Sequence, residues 1–274
     1  MGTSENADEF VLVATNDAVR TLTLNNPARQ NAWNLDMEAR YFELLDEADH
    51  DPEVRAIVVT GTGAMFCPGM DSQYLMEAAR AGTVERAQRR PQMYALSIRK
   101  PMIAAVNGGC AGIGLCQALA CDIRFSSTEA RFAAPYSRRG LPAEYGTSWL
   151  LPRLIGVEHA LDMLLSGRAV PAPEAKDIGL VSRVVPPKEV LGAAQEYAAE
   201  LARYCAPRSM AAIRHQVYGD LSREFSAATD RALDLMSDFA KSEEFAEGIA
   251  SFVEKRPPRF PGLDPAYRPY GNLG

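Results

Sequence analysis

KPMIAAVNGGCAGIGLCQALACDIRF, residues 100–125, decides the fold class. Pro101–Val106 is a continuous apolar run of strand length, and it stops at Asn107-Gly108-Gly109. Residues 113–121 carry no charge and, Gln117 apart, are small or apolar, the composition of a helix buried on every side. Asp122–Ser126 then reads as a second strand. A buried strand, a glycine loop that opens directly into a helix, and a further strand make an α/β unit.

The same pattern extends outward. Residues 10–14 and 19–24 read as two strands joined by a turn at Asn16–Asp17. A helix is expected from Asn34 to about His50, with Leu35, Phe42, Leu45 and Ala48 on its buried stripe. Ala56–Thr60 is a buried strand ending in Gly61-Thr62-Gly63, and a loop over Met65–Asp71 follows. Helices are expected over 73–81 and 84–98, and a short strand over 131–133. After Gly146 strand signals fade, apart from Leu180–Val185, and helical stripes cover about 147–166, 187–205, 208–219, 222–240 and 242–254. The expected organisation is a flexible tail over 1–9, an α/β core over 10–200, a helical region over 201–256 and an extended Pro- and Gly-rich tail over 257–274.

Composition narrows the function. The chain has 274 residues, 47% apolar and 23% charged, with net charge −6 and mixed signs along its length. A nucleic-acid binder needs a concentrated basic face, which this balance does not supply. No apolar run approaches a membrane span, and the first ten residues lack the basic start and apolar stretch of a secretory signal. Five cysteines without a CxxC pair argue against a disulfide framework or a thiolate metal site, and for a reducing, cytoplasmic setting. The three histidines are scattered among helical segments and suggest no metal site.

Two loops fall at strand ends, where α/β proteins place ligands. The first is Ala64–Asp71 and the second Asn107–Leu115. Gly112-Ile113-Gly114 lacks the third glycine of a dinucleotide fingerprint, and no glycine loop continues as G-K-[ST]. On spacing alone two readings stand: tight structural turns, or a pair of loops around Gly69–Met70 and Gly112–Gly114 that aim backbone N–H groups at one developing oxyanion.

The run at 100–125, together with VRAIVVTGTGAMFCPGMD (54–71), NNPARQNAWN (25–34), GLPAEYGTSWLLPRLIG (140–156), LLSGRAVPAPEAKDIGLVSRVV (164–185) and SEEFAEGIASFVEKRPPRF (242–260), resembles in order the motifs of the crotonase, or enoyl-CoA hydratase/isomerase, superfamily. The resemblance covers about residues 10–260. It implies a ββα spiral core with a helical trimerisation region, assembled as a homotrimer or a dimer of trimers. It implies a coenzyme A thioester as substrate, with no tightly bound cofactor. It places the two oxyanion donors at the backbone of Met70 and Ile113, with Gly69, Gly112 and Gly114 shaping the loops. Ile113 is β-branched, so Gly112 and Gly114 are expected to carry any unusual torsion.

Hydratases of this superfamily resemble one another in using two glutamates, and the corresponding positions here are Cys116 and Tyr136. Glu144, in Pro142-Ala143-Glu144-Tyr145-Gly146, occupies a segment where relatives often carry a catalytic acid. The leading expectation is therefore isomerisation of a 3-enoyl-CoA to a 2-enoyl-CoA, with Glu144 as acid/base. The alternatives are 2-enoyl-CoA hydration and a catalytically inactive acyl-CoA-binding scaffold. Cys116 reads as a small buried residue rather than a nucleophile. Arg29, Asp71, Tyr136 and Lys255 are the remaining candidates for substrate or coenzyme A binding. Arg138 and Arg139 form a basic pair that either makes loop ion pairs or favours a polar acyl group.

Overall fold

The computed structural model describes residues 10–83 and 89–269. The tail expected over 1–9 lies outside them. The chain starts with a hairpin, β1 (Val11–Asn16) against β2 (Val19–Leu24), turning through Asp17 and Ala18 in left-handed conformations. Helix α1 (Leu35–His50) begins where the Asn34 side chain accepts a hydrogen bond from the Met37 N–H at 2.7 Å. Its buried face is Met37, Tyr41, Phe42, Leu44, Leu45 and Ala48; Leu35, expected on that stripe, is exposed.

From here long and short strands alternate. The long ones are β3 (Ala56–Gly61), β5 (Met102–Val106) and β7 (Ile123–Ser127); the short ones are β4 (Met65–Cys67), β6 (Gly109–Ala111) and β8 (Arg131–Ala133). Helix α2 (Ser72–Ala81) follows β4, and α3 (Ile113–Ala120) follows β6. The long strands join β1, β2 and β10 (Arg183–Val185) in a six-stranded sheet ordered β1-β2-β3-β5-β7-β10, parallel beyond the hairpin. The short strands join β9 (Ala169–Pro171) in a second sheet ordered β4-β6-β8-β9. Each successive unit therefore adds one strand to both sheets.

Strand alternation divides the interior. Ile57, Val59, Met102, Ala104 and Val106 face the main core with α1 and α3. Ala56, Val58, Ile103 and Ala105 face the other way, onto α7 (Val190–Tyr204). Helix α7 presents Val190, Ala194, Ala198 and Ala202 at four-residue spacing, a small-residue face that lies flat on the sheet. The boundary expected at 200 falls inside this helix.

The stripe over 147–166 is two helices, α4 (Thr147–Ile155) and α5 (Val157–Ser166), because Gly156 adopts φ 79° and ψ 162°. Part of the helix expected over 84–98 lies outside the described residues; the rest is irregular, with one 3₁₀ turn at Tyr94–Ser97. The short α6 (Ala172–Asp177) gave no sequence signal. Helices α8 (Pro207–Asp220), α9 (Phe225–Phe239) and α10 (Glu243–Glu254) complete the fold. Residues 257–269 carry no helix or strand, but they are tied down: the Arg99 guanidinium donates to the carbonyls of Asp264, Pro265 and Tyr267. Among the described residues no helix is long and apolar enough to cross a membrane.

Candidate active site

The first glycine loop is held by the 25–34 motif. Asn31 is fully buried, and its side-chain amide donates to the carbonyls of Thr62 and Met65 at 2.8 and 2.7 Å. Trp33, also fully buried, runs parallel to Met70: the Trp33 N–H donates to the Gly69 carbonyl and the Asp71 N–H to the Trp33 carbonyl, both at 2.8 Å. That bridge uses the groups on either side of the Met70 N–H and leaves it out. Asn107, at the end of β5, fastens the second loop to the first by donating to the carbonyls of Gly61 and Gly63 at 2.9 and 2.8 Å.

The second loop delivers Ile113 as the first residue of α3, where its N–H has no intrahelical acceptor. Gly112 carries the torsion that makes this possible, φ 54° and ψ −121°, as expected. Gly114 plays a different part from the one expected. It is an ordinary helical residue, and a Cβ there would meet the Cys67 carbonyl oxygen at 2.3 Å. The missing side chain lets α3 sit directly on β4. The loops meet at their glycines: a Cβ on Gly112 would lie 3.7 Å from the Gly69 Cα.

A cleft enclosing about 560 Å³, open to solvent, lies over this junction, lined by Met70, Gly112, Ile113, Tyr136, Glu144 and six further residues from α2 and the 139–145 loop. A second depression, about 1460 Å³, continues from it past Glu144 and Tyr145 to Arg89 and Met93. Glu144 is half-buried, and among the described residues its carboxylate makes no ion pair and accepts no hydrogen bond. Its backbone carbonyl accepts from the Thr147 N–H at 2.9 Å and the Thr147 hydroxyl at 2.6 Å. Burial pushes its carboxyl above the usual carboxylate range, opposed by Arg139 and Arg89. The loop turns sharply just after it: Tyr145 adopts φ 50° and Gly146 φ 80°. A left-handed aromatic residue costs about 1–2 kcal/mol and is a strain typical of functional sites.

Tyr136 is buried. Its hydroxyl lies 3.3 Å from the Cys116 Sγ and donates to the Gly112 carbonyl at 3.3 Å. Burial, Cys116 and Glu144 hold its pKa far above the ordinary phenol value, against the Thr147 hydroxyl. Cys116 is fully enclosed, and burial pushes its thiol up to about 12, which keeps it protonated and non-nucleophilic near neutrality.

The Arg138–Arg139 pair is split. Arg138 packs on Gly167 and donates to the Ser166 carbonyl, while Arg139 lines the cleft. Arg29 and Asp71 pair with each other at 3.3 Å, and Asp71 caps α2 by accepting from the Gln73 N–H. Neither lines the cleft of this chain, nor does Lys255, which ends α10 in a left-handed conformation.

Sequence reading missed Tyr74, Tyr145 and Arg89. Arg89 is clamped by Glu38 at 2.8 and 2.6 Å and lies about 6 Å from both ring centres, at 5.9 Å over Tyr74 and 6.0 Å over Tyr145. Glu38 in turn accepts from the Trp33 indole at 3.0 Å. A buried acid on α1 was the one readable signal, because a buried carboxylate demands a cationic partner.

The sequence profile of the family described as enoyl-CoA hydratase/isomerase matches residues 14–263. The probable enoyl-CoA hydratase EchA12 of Mycobacterium tuberculosis is 36% identical over 261 residues, covering 88% of this chain and 89% of the relative. The 1,2-epoxyphenylacetyl-CoA isomerase of Escherichia coli is 31% identical over 268 residues, covering 93% and 99%. Among solved structures, a probable enoyl-CoA hydratase/isomerase from Mycobacterium abscessus superposes with a TM-score of 0.85 at 32% identity, covering 92% of this chain and 99% of that one.

Proposed function

Because the chain belongs to the enoyl-CoA hydratase/isomerase family, the crotonase superfamily of acyl-CoA enzymes, we propose that it moves a double bond in an acyl-CoA thioester, from 3-enoyl to 2-enoyl, with Glu144 as the acid/base. The thioester oxygen sits against the N–H groups of Met70 and Ile113. The Glu144 carboxylate removes a proton from C2, and the electrons pass into a dienolate whose negative oxygen those two donors stabilise. The protonated Glu144 then returns the proton at C4, leaving the double bond at C2–C3. Proton and electrons balance without a cofactor. Gly69, Gly112 and Gly114 keep the donors in place.

One observation carries this reading: an unpaired, half-buried carboxylate shares one cleft with both donor residues, while the corresponding hydratase positions hold a buried thiol and a phenol. Burial raises its pKa, the direction a base working toward neutral pH needs. The test is incubation with a 3-enoyl-CoA, followed by the absorbance of the conjugated thioester. Glu144→Gln is expected to lower kcat by at least about 100-fold, the low end for general acid–base catalysis. An unchanged rate would remove Glu144 from its role.

Relatives named as probable enoyl-CoA hydratases favour a second reading, water addition to a 2-enoyl-CoA. Accumulation of 3-hydroxyacyl-CoA identifies it, and thioester binding without turnover across an acyl panel identifies an inactive scaffold. Self-association into a trimer or hexamer is part of the proposal, supported by Phe225, Met236, Phe252 and Val253 on α9 and α10, which are 66–87% exposed. Sedimentation equilibrium is expected to give three or six copies; a monomer at micromolar concentration overturns this. In such an assembly the proposal gives Lys255 the nucleotide end of coenzyme A, bound by this or a neighbouring copy, and Arg29 a phosphate. The five free cysteines, none exposed, suit a reducing cytoplasm.

A further inference from the structure

The Gly112 carbonyl and the Ile113 N–H are the two ends of one peptide group. That carbonyl accepts twice, from the Cys116 N–H at 3.0 Å along α3 and from the Tyr136 hydroxyl at 3.3 Å across the loop. The hydroxyl has one proton. When it goes to Gly112, the Cys116 thiol, 3.3 Å away, is left to donate to the Tyr136 oxygen, giving a chain from S–H to O–H to C=O. Both side chains are essentially enclosed, so the chain runs in a medium of low dielectric. In such a medium each hydrogen bond polarises the next, and electron density drawn toward a peptide oxygen leaves its N–H a stronger donor.

We infer that Tyr136 is a positioning residue for the oxyanion site: by bonding the Gly112 carbonyl it fixes the plane and raises the donor strength of the Gly112–Ile113 peptide. The inference rests on the proposed role of the Ile113 N–H. Gly112 makes the bond necessary. Its ψ of −121° sets the orientation of that peptide plane, and glycine has no side chain to restrain it. Tyr136 supplies the restraint from a neighbouring segment. Its high pKa keeps the hydroxyl protonated, hence a donor, at any pH at which the protein works. An ionised glutamate in its place would have no proton to donate and would repel the carbonyl. The tyrosine therefore has a use that the acid it replaces could not serve. The Cys116 thiol, equally protonated, completes the chain from behind.

The test uses a saturated acyl-CoA carrying carbon-13 at the thioester carbonyl, with the stretch read by infrared difference spectroscopy on the bound complex. Wild type is expected to show the carbonyl lowered in frequency relative to water. Tyr136→Phe is expected to reverse part of that shift and to lower kcat about ten-fold, a fraction of the loss for deleting a whole donor, with KM within about two-fold. Replacing Tyr136 by a ring-fluorinated tyrosine, a stronger donor with nearly the same shape, is expected to increase the shift. Cys116→Ala, which disturbs the same buried corner but keeps the tyrosine–carbonyl bond, is expected to change it less than Tyr136→Phe. A wild-type shift that survives Tyr136→Phe unaltered overturns this inference and leaves the oxyanion reading standing. So does an equal loss in Cys116→Ala, or a fluorinated variant that moves the same way as Phe. No shift in wild type overturns the oxyanion reading itself.

Discussion

As the proposed base, Glu144 works only when ionised, and two arginines set how easily it ionises. Burial raises its pKa; Arg139 is the larger opposing influence and Arg89 the smaller. Activity should therefore fall as pH drops through a value above the ordinary carboxylate range. Removing Arg139 leaves burial less opposed, so the folded pKa rises further and the carboxylate form is lost at a higher pH. Arg139→Gln is expected to move the acid limb of the kcat/KM profile to higher pH and to leave the plateau above it nearly unchanged. A limb that stays put, or moves to lower pH, excludes Arg139 from tuning Glu144. Glu144 was singled out by the resemblance alone, because it occupies a segment where relatives often carry a catalytic acid. Arg89 drew no such attention, because its placement depends on Glu38, 51 positions away in the chain, and on two tyrosine rings, one from α2 and one from the loop before α4. Arg29 stands out in sequence by its motif alone, and the motif's buried members, Asn31 and Trp33, brace the first loop.

At the scale of elements, the donor geometry depends on how closely α3 approaches β4. Gly114 sets that distance, since a methyl group there would meet backbone at 2.3 Å and the Cys67 Cβ at 2.7 Å. Backbone cannot rotate away as a flexible side chain can, so α3 itself must shift, carrying the Ile113 N–H with it. Gly114→Ala is expected to destabilise the fold by about 1–3 kcal/mol, the usual cost of overpacking, and to depress kcat more than KM. Urea denaturation and steady-state kinetics read the two effects separately; wild-type values in both would mean that the close approach is not needed. Long elements with clear periodicity were legible to within a few residues, as with α1 and β3, where caps and apolar runs coincide. Of the three-residue strands, β8 and β10 were marked by their apolar runs, whereas β4, β6 and β9 sit inside glycine- and proline-bearing loops and are defined by their partners.

The whole molecule is held by polar contacts as well as by its apolar layers. Arg214, on α8, donates from Nε to both Asp122 carboxylate oxygens at 2.8 Å. Its remaining nitrogens donate to the carbonyls of Ala95, Leu96 and Ile98. Asp122 also accepts from the Met102 N–H and the Tyr218 hydroxyl, both at 2.8 Å. One buried guanidinium thus fastens the helical region to the segment before β5 and to the turn before β7. From sequence Arg214 resembled any surface arginine of a helix, since its partner lies 92 positions earlier. Replacing it with methionine keeps most of the volume but leaves Asp122 partly buried without its cation and takes the donor from the carbonyls of Leu96 and Ile98. Breaking such a pair costs about 3–5 kcal/mol, because the surviving charge remains desolvated. Arg214→Met is expected to lower the urea midpoint accordingly. The double variant Arg214→Met/Asp122→Asn should recover part of the loss, because it removes the stranded charge. A single variant within about 1 kcal/mol of wild type, below the range for a broken buried pair, would mean that the apolar faces of α7 and α8 hold the helical region without this anchor.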